Sequence, residues 1–150
     1  MSKRSIVFLA LLILAPVIIY FLWPSDESRI KKLFREGAKA VEEKKTEDVM
    51  SKISFNYTDS HGITYIILKD VLTKTLSRMS NIKIEYEITK MDIKDEKASA
   101  ELDLRAIATS GNDTGYFIGD AAKPAHVKFS LEKERTKWLI TSTEGIYTGM

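Results

Sequence analysis

The sequence predicts an α+β domain, three helices packed on one face of a four-stranded antiparallel sheet, standing behind a single transmembrane helix. Three observations predict it. A charge-free apolar run occupies Ile6 to Trp23; apolar residues then recur at helical spacing as far as Met79; after Ser80-Asn81 the period drops to two. Helices first and strands afterwards is the signature of an α+β plan, in which the helices gather on one side of the sheet.

The apolar run comes first. Lys3 and Arg4 precede it, and only Pro16 and Tyr20 interrupt its aliphatic character. At about 1.5 Å per residue, such a helix nearly crosses a hydrocarbon core of about 30 Å. Tyr20 and Trp23 stand at its far end, where amphipathic rings favour the headgroup layer, and Pro24 closes it. A cleaved signal peptide shares the basic start and the apolar middle, but cleavage wants small residues just beyond the run. The residues there are Phe21-Leu22-Trp23-Pro24-Ser25-Asp26, which favours an uncleaved anchor. The absence of cysteine excludes a bacterial lipoprotein anchor. The short basic tail favours a cytoplasmic N-terminus and an extracytoplasmic (periplasmic) domain, although Arg29, Lys31, Lys32 and Arg35 dilute that charge rule. The chain thus divides into residues 1–24, tail and anchor, and 25–150, the domain.

Ser25 is placed to cap a helix from Asp26 to about Lys44, with early acids at the positive end of its dipole. Ile30, Leu33, Phe34, Gly37, Ala38 and Val41 form its apolar face. Thr46 is expected to cap a short second helix burying Val49, Met50 and Ile53, and Phe55 to Ser60 reads as irregular or a brief strand. The third helix is expected from Ile63 to about Met79, with Leu68, Leu72, Leu76 and Met79 on one side and Ile63, Ile67 and Val71 beside them. In the first strand Ile82, Ile84, Tyr86 and Ile88 alternate with polar residues. A phase slip before Met91 and Ile93 predicts a bulge. Asp95-Glu96 makes a turn, and Ala98, Ala100, Leu102, Leu104, Ala106 and Ala108 form the inner row of the second strand. Ala125, Val127, Phe129 and Leu131 mark a third strand, Trp138 and Ile140 a fourth. The glycine-rich stretch Gly111 to Gly119, carrying Tyr116, Phe117 and Ile118, reads as an extended hairpin folded onto the core, with a lid or contact site as the other possibility.

Composition excludes several function classes. A formal charge of +2 with interspersed signs lacks the basic stripe that nucleic-acid binding needs. Without cysteine there is no thiolate nucleophile and no zinc-thiolate site. The glycines of 111–119 do not end in Gly-Lys-Ser/Thr and so form no phosphate loop. No cofactor and no metal site is expected. Asn56 and Asn112 lie in glycosylation triplets, which arise often by chance.

The order of helix, short helix, Phe55-Asn56-Tyr57-Thr58-Asp59-Ser60-His61-Gly62, long helix, and strands ending in Lys137-Trp138-Leu139-Ile140 resembles the nuclear transport factor 2-like superfamily over residues 26–145. Tyr57-x-Asp59-x-x-Gly62 and Trp138-x-Ile140 are the sharpest pieces. The resemblance implies a sheet curved around the long helix into a cone. Some members of the superfamily are isomerases or dehydratases, some bind small molecules, and some are assembly modules, so fold does not select function. The layout of one anchor and this fold is similar to envelope components of type IV secretion machines, though shorter and without a motif tying it to them.

Enzymes of that superfamily need an ionisable group inside the cone, within reach of the proton it moves. None of the inward positions is acidic, basic or histidine. Glu85, Glu87, Glu101, Asp103, Arg105, Lys128, Glu132 and His126 fall on the opposite phase, a solvated face whose charges disfavour a stable sheet-to-sheet homodimer. The weak catalytic candidates are Asp59 and His61 at the mouth, where Asp59 or Ser60 also serves as an N-cap for the long helix. Tyr57, Tyr65, Tyr86 and Trp138 are the candidate ligand-binding residues. The alanines of the second strand, facing the long helix, imply either close packing or a narrow apolar pocket. The expectation is a non-catalytic envelope module that holds the membrane through Ile6 to Trp23 and binds a partner protein or a small apolar ligand. The alternative is an isomerase or dehydratase using Asp59 or His61.

Overall fold

The computed structural model describes residues 2–146. Helix α1 spans Lys3–Leu22 and carries Pro16 inside it. Trp23 is its C-cap, its amide donating to the Ile19 carbonyl at 2.9 Å. It is long and apolar enough to cross a membrane, and none of its residues is buried against the rest of the chain. Helix α2 (Asp26–Glu42) follows after only Trp23, Pro24 and Ser25. Ser25 Oγ accepts the Ser28 amide at 3.2 Å, as its residue type predicts. Helix α3 (Thr46–Met50) begins one residue earlier than a Thr46 cap would allow: Lys45 holds the cap position, without a side-chain bond. Helix α4 (Tyr65–Ser77) is shorter than expected at both ends, and its cap is Thr64.

The sheet has five strands, not four: β1 (Ser80–Lys94), β2 (Lys97–Ser110), β3 (Asp113–Ile118), β4 (Ala125–Glu134) and β5 (Lys137–Glu144). They pair antiparallel in the order β1-β2-β4-β5, and β3 also pairs with β2. β2 therefore carries two partners in series along one side, β4 from Lys97 to Leu104 and β3 from Ala106 to Ser110. The additional strand comes from the glycine-rich stretch. It forms a hairpin as expected, but it is not folded onto the core: Tyr116 and Phe117 are exposed.

The expected bulge is present. Ile88 pairs with Leu102 and Lys90 with Glu101, leaving Thr89 as the extra residue, and its hydroxyl donates to the Glu101 carbonyl. One inserted residue restores the inward phase, so Met91 still packs on the core.

The inner rows of β1, β2, β4 and β5 face the helices as the alternation predicts. The larger core joins Ile30, Leu33 and Phe34 of α2 to Ala98, Ala100, Leu102, Leu131, Trp138 and Ile140, with Tyr57 from the loop before α4. Phe34 and Phe129 meet edge to face at 5.0 Å. A smaller core gathers Leu76 of α4, Ile82 and Ala108. The alanines thus divide between two cores: Ala98 and Ala100 lie in the larger one, with α2 in it and Tyr65 and Leu68 of α4 against it, and Ala108 lies in the smaller one with Leu76 of α4. The continuous stripe on α2 gives it the closer seat.

Candidate functional site

The loop between α3 and α4 runs beside β5. Ser54 lies fully buried there: its amide donates to the Ile140 carbonyl at 2.9 Å, and Ile140 returns a bond to the Lys52 carbonyl. The Thr58 amide then donates to Thr141 at 3.1 Å. Pinned there, Tyr57 turns its ring into the larger core and is only 3% exposed.

Asp59 is buried, and its carboxylate is committed to the chain itself. Oδ1 accepts the amides of His61 at 2.9 Å and Ile63 at 3.1 Å. Its backbone closes the same turn, with Asp59 N–H donating to the Ile63 carbonyl and the Gly62 amide donating to the Asp59 carbonyl. Gly62 has φ +75, which L residues resist. Asp59 is thus not the cap of α4, because the chain makes a complete turn before the helix begins at Tyr65. The aspartate caps that turn instead. Tyr57 Oη approaches the second oxygen at 3.4 Å, a long contact.

Of the two expected catalytic candidates, Asp59 therefore faces backbone donors, and His61 lies exposed on the outside of the turn. The 2.9 Å bond between the two residues runs from the His61 backbone amide to Asp59 Oδ1. Tyr65 and Tyr86 are half-buried against the larger core, and Tyr65 meets the exposed Phe55 ring at 4.8 Å with the ring planes tilted by 53°. Trp138 is buried but turns its polar edge toward the start of α2, where Nε1 donates to Asp26 Oδ1 at 3.0 Å. Lys133 Nζ reaches the same oxygen at 3.0 Å. These bonds, the indole first, hold the Asp26 carboxyl below the usual carboxylate range. Of the four expected ligand-binding residues, Tyr57 and Trp138 thus lie in the larger core and Tyr65 and Tyr86 pack against it.

Away from this loop, on the solvated face of the sheet, His126 bridges two carboxylates. Nδ1 lies 2.9 Å from Asp103 and Nε2 lies 3.1 Å from Glu101. Asp103 sits directly opposite His126 in the β2–β4 register. The imidazole is held above its ordinary pKa by Asp103 first and Glu101 second, so it donates from both nitrogens when charged. Phase placed all three on one face; the cross-strand register that joins them was the missing signal. Among the described residues no group of three or more His, Asp or Glu side chains is arranged to hold a metal ion.

No protein-family model matches the chain, and no curated protein matches it in sequence. Solved structures do match. A protein of unknown function with a cystatin-like fold from Nostoc punctiforme aligns at 15% identity and TM-score 0.62, over 79% of this chain and 87% of that one. The fold is nuclear transport factor 2-like. A protein from Shewanella oneidensis described in those words, also of unknown function, aligns at 13% identity and TM-score 0.59, over 79% and 97%. A candidate scytalone dehydratase from Novosphingobium aromaticivorans aligns at 11% identity and TM-score 0.63, over 77% and 78%. At such identities the likeness establishes architecture alone.

Proposed function

We propose that this chain is a membrane-anchored, non-catalytic module that binds a partner protein in the cell envelope, with α1 spanning the bilayer and residues 25–150 on its extracytoplasmic side. The observation that carries the reading is the outer face of α4. Leu68, Leu72 and Leu76 face inward, as helical spacing requires. Yet Ile66 is 78% exposed, Ile67 and Val71 are exposed too, and Phe55, whose ring meets Tyr65 at the start of the helix, is 81% exposed. Ion pairs are interspersed with these apolar residues: Lys69 with Glu47 at 2.9 Å and Lys74 with Asp70 at 2.8 Å. Large apolar side chains left exposed on a surface helix mark a contact surface.

Two further features support binding over catalysis. The inward rows of the sheet carry no carboxylate, lysine, arginine or histidine, and Ile30, Ala100, Val127 and Leu131 are sealed from solvent. One oxygen of Asp59 holds two backbone amides, an arrangement that explains the aspartate without a substrate.

The test is photo-crosslinking of the full-length chain in its native membranes, with the crosslinker at Ile66 or Val71 and a control at Glu87 on the sheet's outer face. A discrete adduct from the α4 positions, absent from Glu87 and lost when Ile66→Asp is paired with a crosslinker at Val71, supports the reading. Native mass spectrometry of residues 25–150 provides the contrast. A retained small molecule together with no adduct would move the function to an apolar ligand. An activity that disappears in both Asp59→Asn and His61→Ala would restore the isomerase or dehydratase alternative.

A further inference from the structure

The joint between anchor and domain is too short to let the domain hang free. α1 ends at Leu22 and α2 begins at Asp26. The caps on both sides are extended, Trp23 with ψ 125 and Ser25 with ψ 159. At no more than about 3.6 Å per residue, the first turn of α2 lies within roughly 15 Å of the last turn of α1. If α1 spans the bilayer, its last turn marks the edge of the hydrocarbon, and the headgroup layer extends about 5–8 Å beyond that.

What lies beside the first turn of α2 is one whole end of the domain. Arg29 Nη1 donates to the Thr136 carbonyl at 3.2 Å, tying α2 to the β4–β5 turn. Lys133 binds Asp26 through its side chain, and its amide donates to the Glu96 carbonyl at 2.8 Å, which adds the β1–β2 turn. Trp23 is held as well, its ring under the Arg29 guanidinium at 5.3 Å. Between α1 and this end runs a groove of about 1140 Å³, apolar along Leu12, Pro16 and Ile19 and charged at Asp26, Arg29 and Lys133. Its polarity changes along its length as a phospholipid's does. The charges at this end nearly balance: Asp26 pairs with Lys133, Glu27 with Lys31 and Glu132 with Lys97. A nearly neutral end suits a zwitterionic headgroup layer.

We infer that the domain is seated on the bilayer surface in one orientation, with the β1–β2 and β4–β5 turns in the phospholipid headgroup layer. This inference rests on the anchor reading of α1. The opposite end carries the β2–β3 hairpin, since β3 pairs with the half of β2 farthest from Lys97. α2 alone, 17 residues long, separates the two ends by about 25 Å.

The chain has no cysteine, so single spin labels can be placed cleanly on the full-length protein. In phosphatidylcholine nanodiscs, labels at Ile13→Cys, Thr136→Cys and Asn112→Cys are compared for access to oxygen, which concentrates in hydrocarbon, and to a water-soluble nickel chelate. The expected order is Ile13 deep, Thr136 several-fold less open to nickel than Asn112, and Asn112 fully aqueous. A 20-residue Gly/Ser insertion between Pro24 and Ser25 should raise nickel access at Thr136 to the Asn112 level. A deep Ile13 with Thr136 as aqueous as Asn112 overturns the seat and leaves the anchor standing. An aqueous Ile13 overturns both, and an insertion without effect removes the joint as the cause.

Discussion

Replacing Asp59 by alanine separates a structural aspartate from a catalytic one. The substitution removes the acceptor of two backbone amides, His61 at 2.9 Å and Ile63 at 3.1 Å. Hydrogen bonds to a charged group are each worth about 1.5–3 kcal/mol net. The His61 residue is exposed, so water replaces much of its bond, and the contact from Tyr57 at 3.4 Å is too long to add much. The expected loss is therefore about 2–4 kcal/mol for Asp59→Ala. Asparagine keeps a carbonyl acceptor at the same place and should lose about half as much. α1 buries none of its residues, so residues 25–150 hold the whole core and suit urea unfolding followed by circular dichroism. For a domain of this size each kcal/mol moves Tm by about 3–5 °C, giving a fall of roughly 10 °C. If Asp59→Ala costs under about 0.5 kcal/mol, or Asp59→Asn costs as much as Asp59→Ala, the carboxylate does not cap the turn and its burial needs another cause.

Other consequences can be checked in the same domain. Ala100→Leu inserts three carbons where Ala100 is sealed among the larger-core residues and should cost at least about 1–3 kcal/mol in urea unfolding, by overpacking. Trp138→Phe removes the indole bond to Asp26 and should cost about 1–2 kcal/mol, while raising the Asp26 pKa in an NMR titration. Since the folded Asp26 pKa is depressed, its contribution is present above the unfolded value of about 3.8 and fades as pH falls through the lower folded value, and that acid-side loss should shrink in Trp138→Phe. His126 has the opposite sign: its folded pKa is raised, so its contribution is full below about 6.5 and is lost as pH rises through the folded value. Tm of the wild-type domain should therefore decline across that window relative to His126→Gln, and equal slopes would refute the bridge.

Much of this architecture was legible because burial imposes a period. Ile82 through Ile88 alternate because one face of β1 meets the cores, and the slip at Thr89 was visible because Met91 must still reach the inside. β3 escaped for the complementary reason. Thr114 through Phe117 are exposed on both faces, so no alternation distinguishes the strand. The signal that remained was local: a two-residue Gly111-Asn112 turn followed by Tyr-Phe-Ile. The start of α4 was misplaced because Ile63 fits the helical stripe, although its amide is already given to Asp59. At the candidate site, residue types identified Asp59 as a group to examine, but only coordinates reveal which donors it meets. The Asp26–Trp138 bond joins positions 112 residues apart, a pairing no local pattern encodes.

The way β2 serves two partners in series has a consequence for how such a chain can vary. Residues 97–104 of β2 are braced by β4, whereas residues 106–110 lie between β1 and β3, with Ala108 in the smaller core. The handover takes place at Gly119, where φ is +66 and an added Cβ would stand 2.9 Å from the Leu104 carbonyl oxygen. That one position acts as a fixed hinge pin. Beyond it, the Gly111-Asn112 tip has open space around it, so the hairpin can be lengthened or trimmed by paired residues while residues 97–104 keep their register. Reach at this end is thus an adjustable dimension of the domain, set by a hairpin tip that extends past Ala108 of the smaller core.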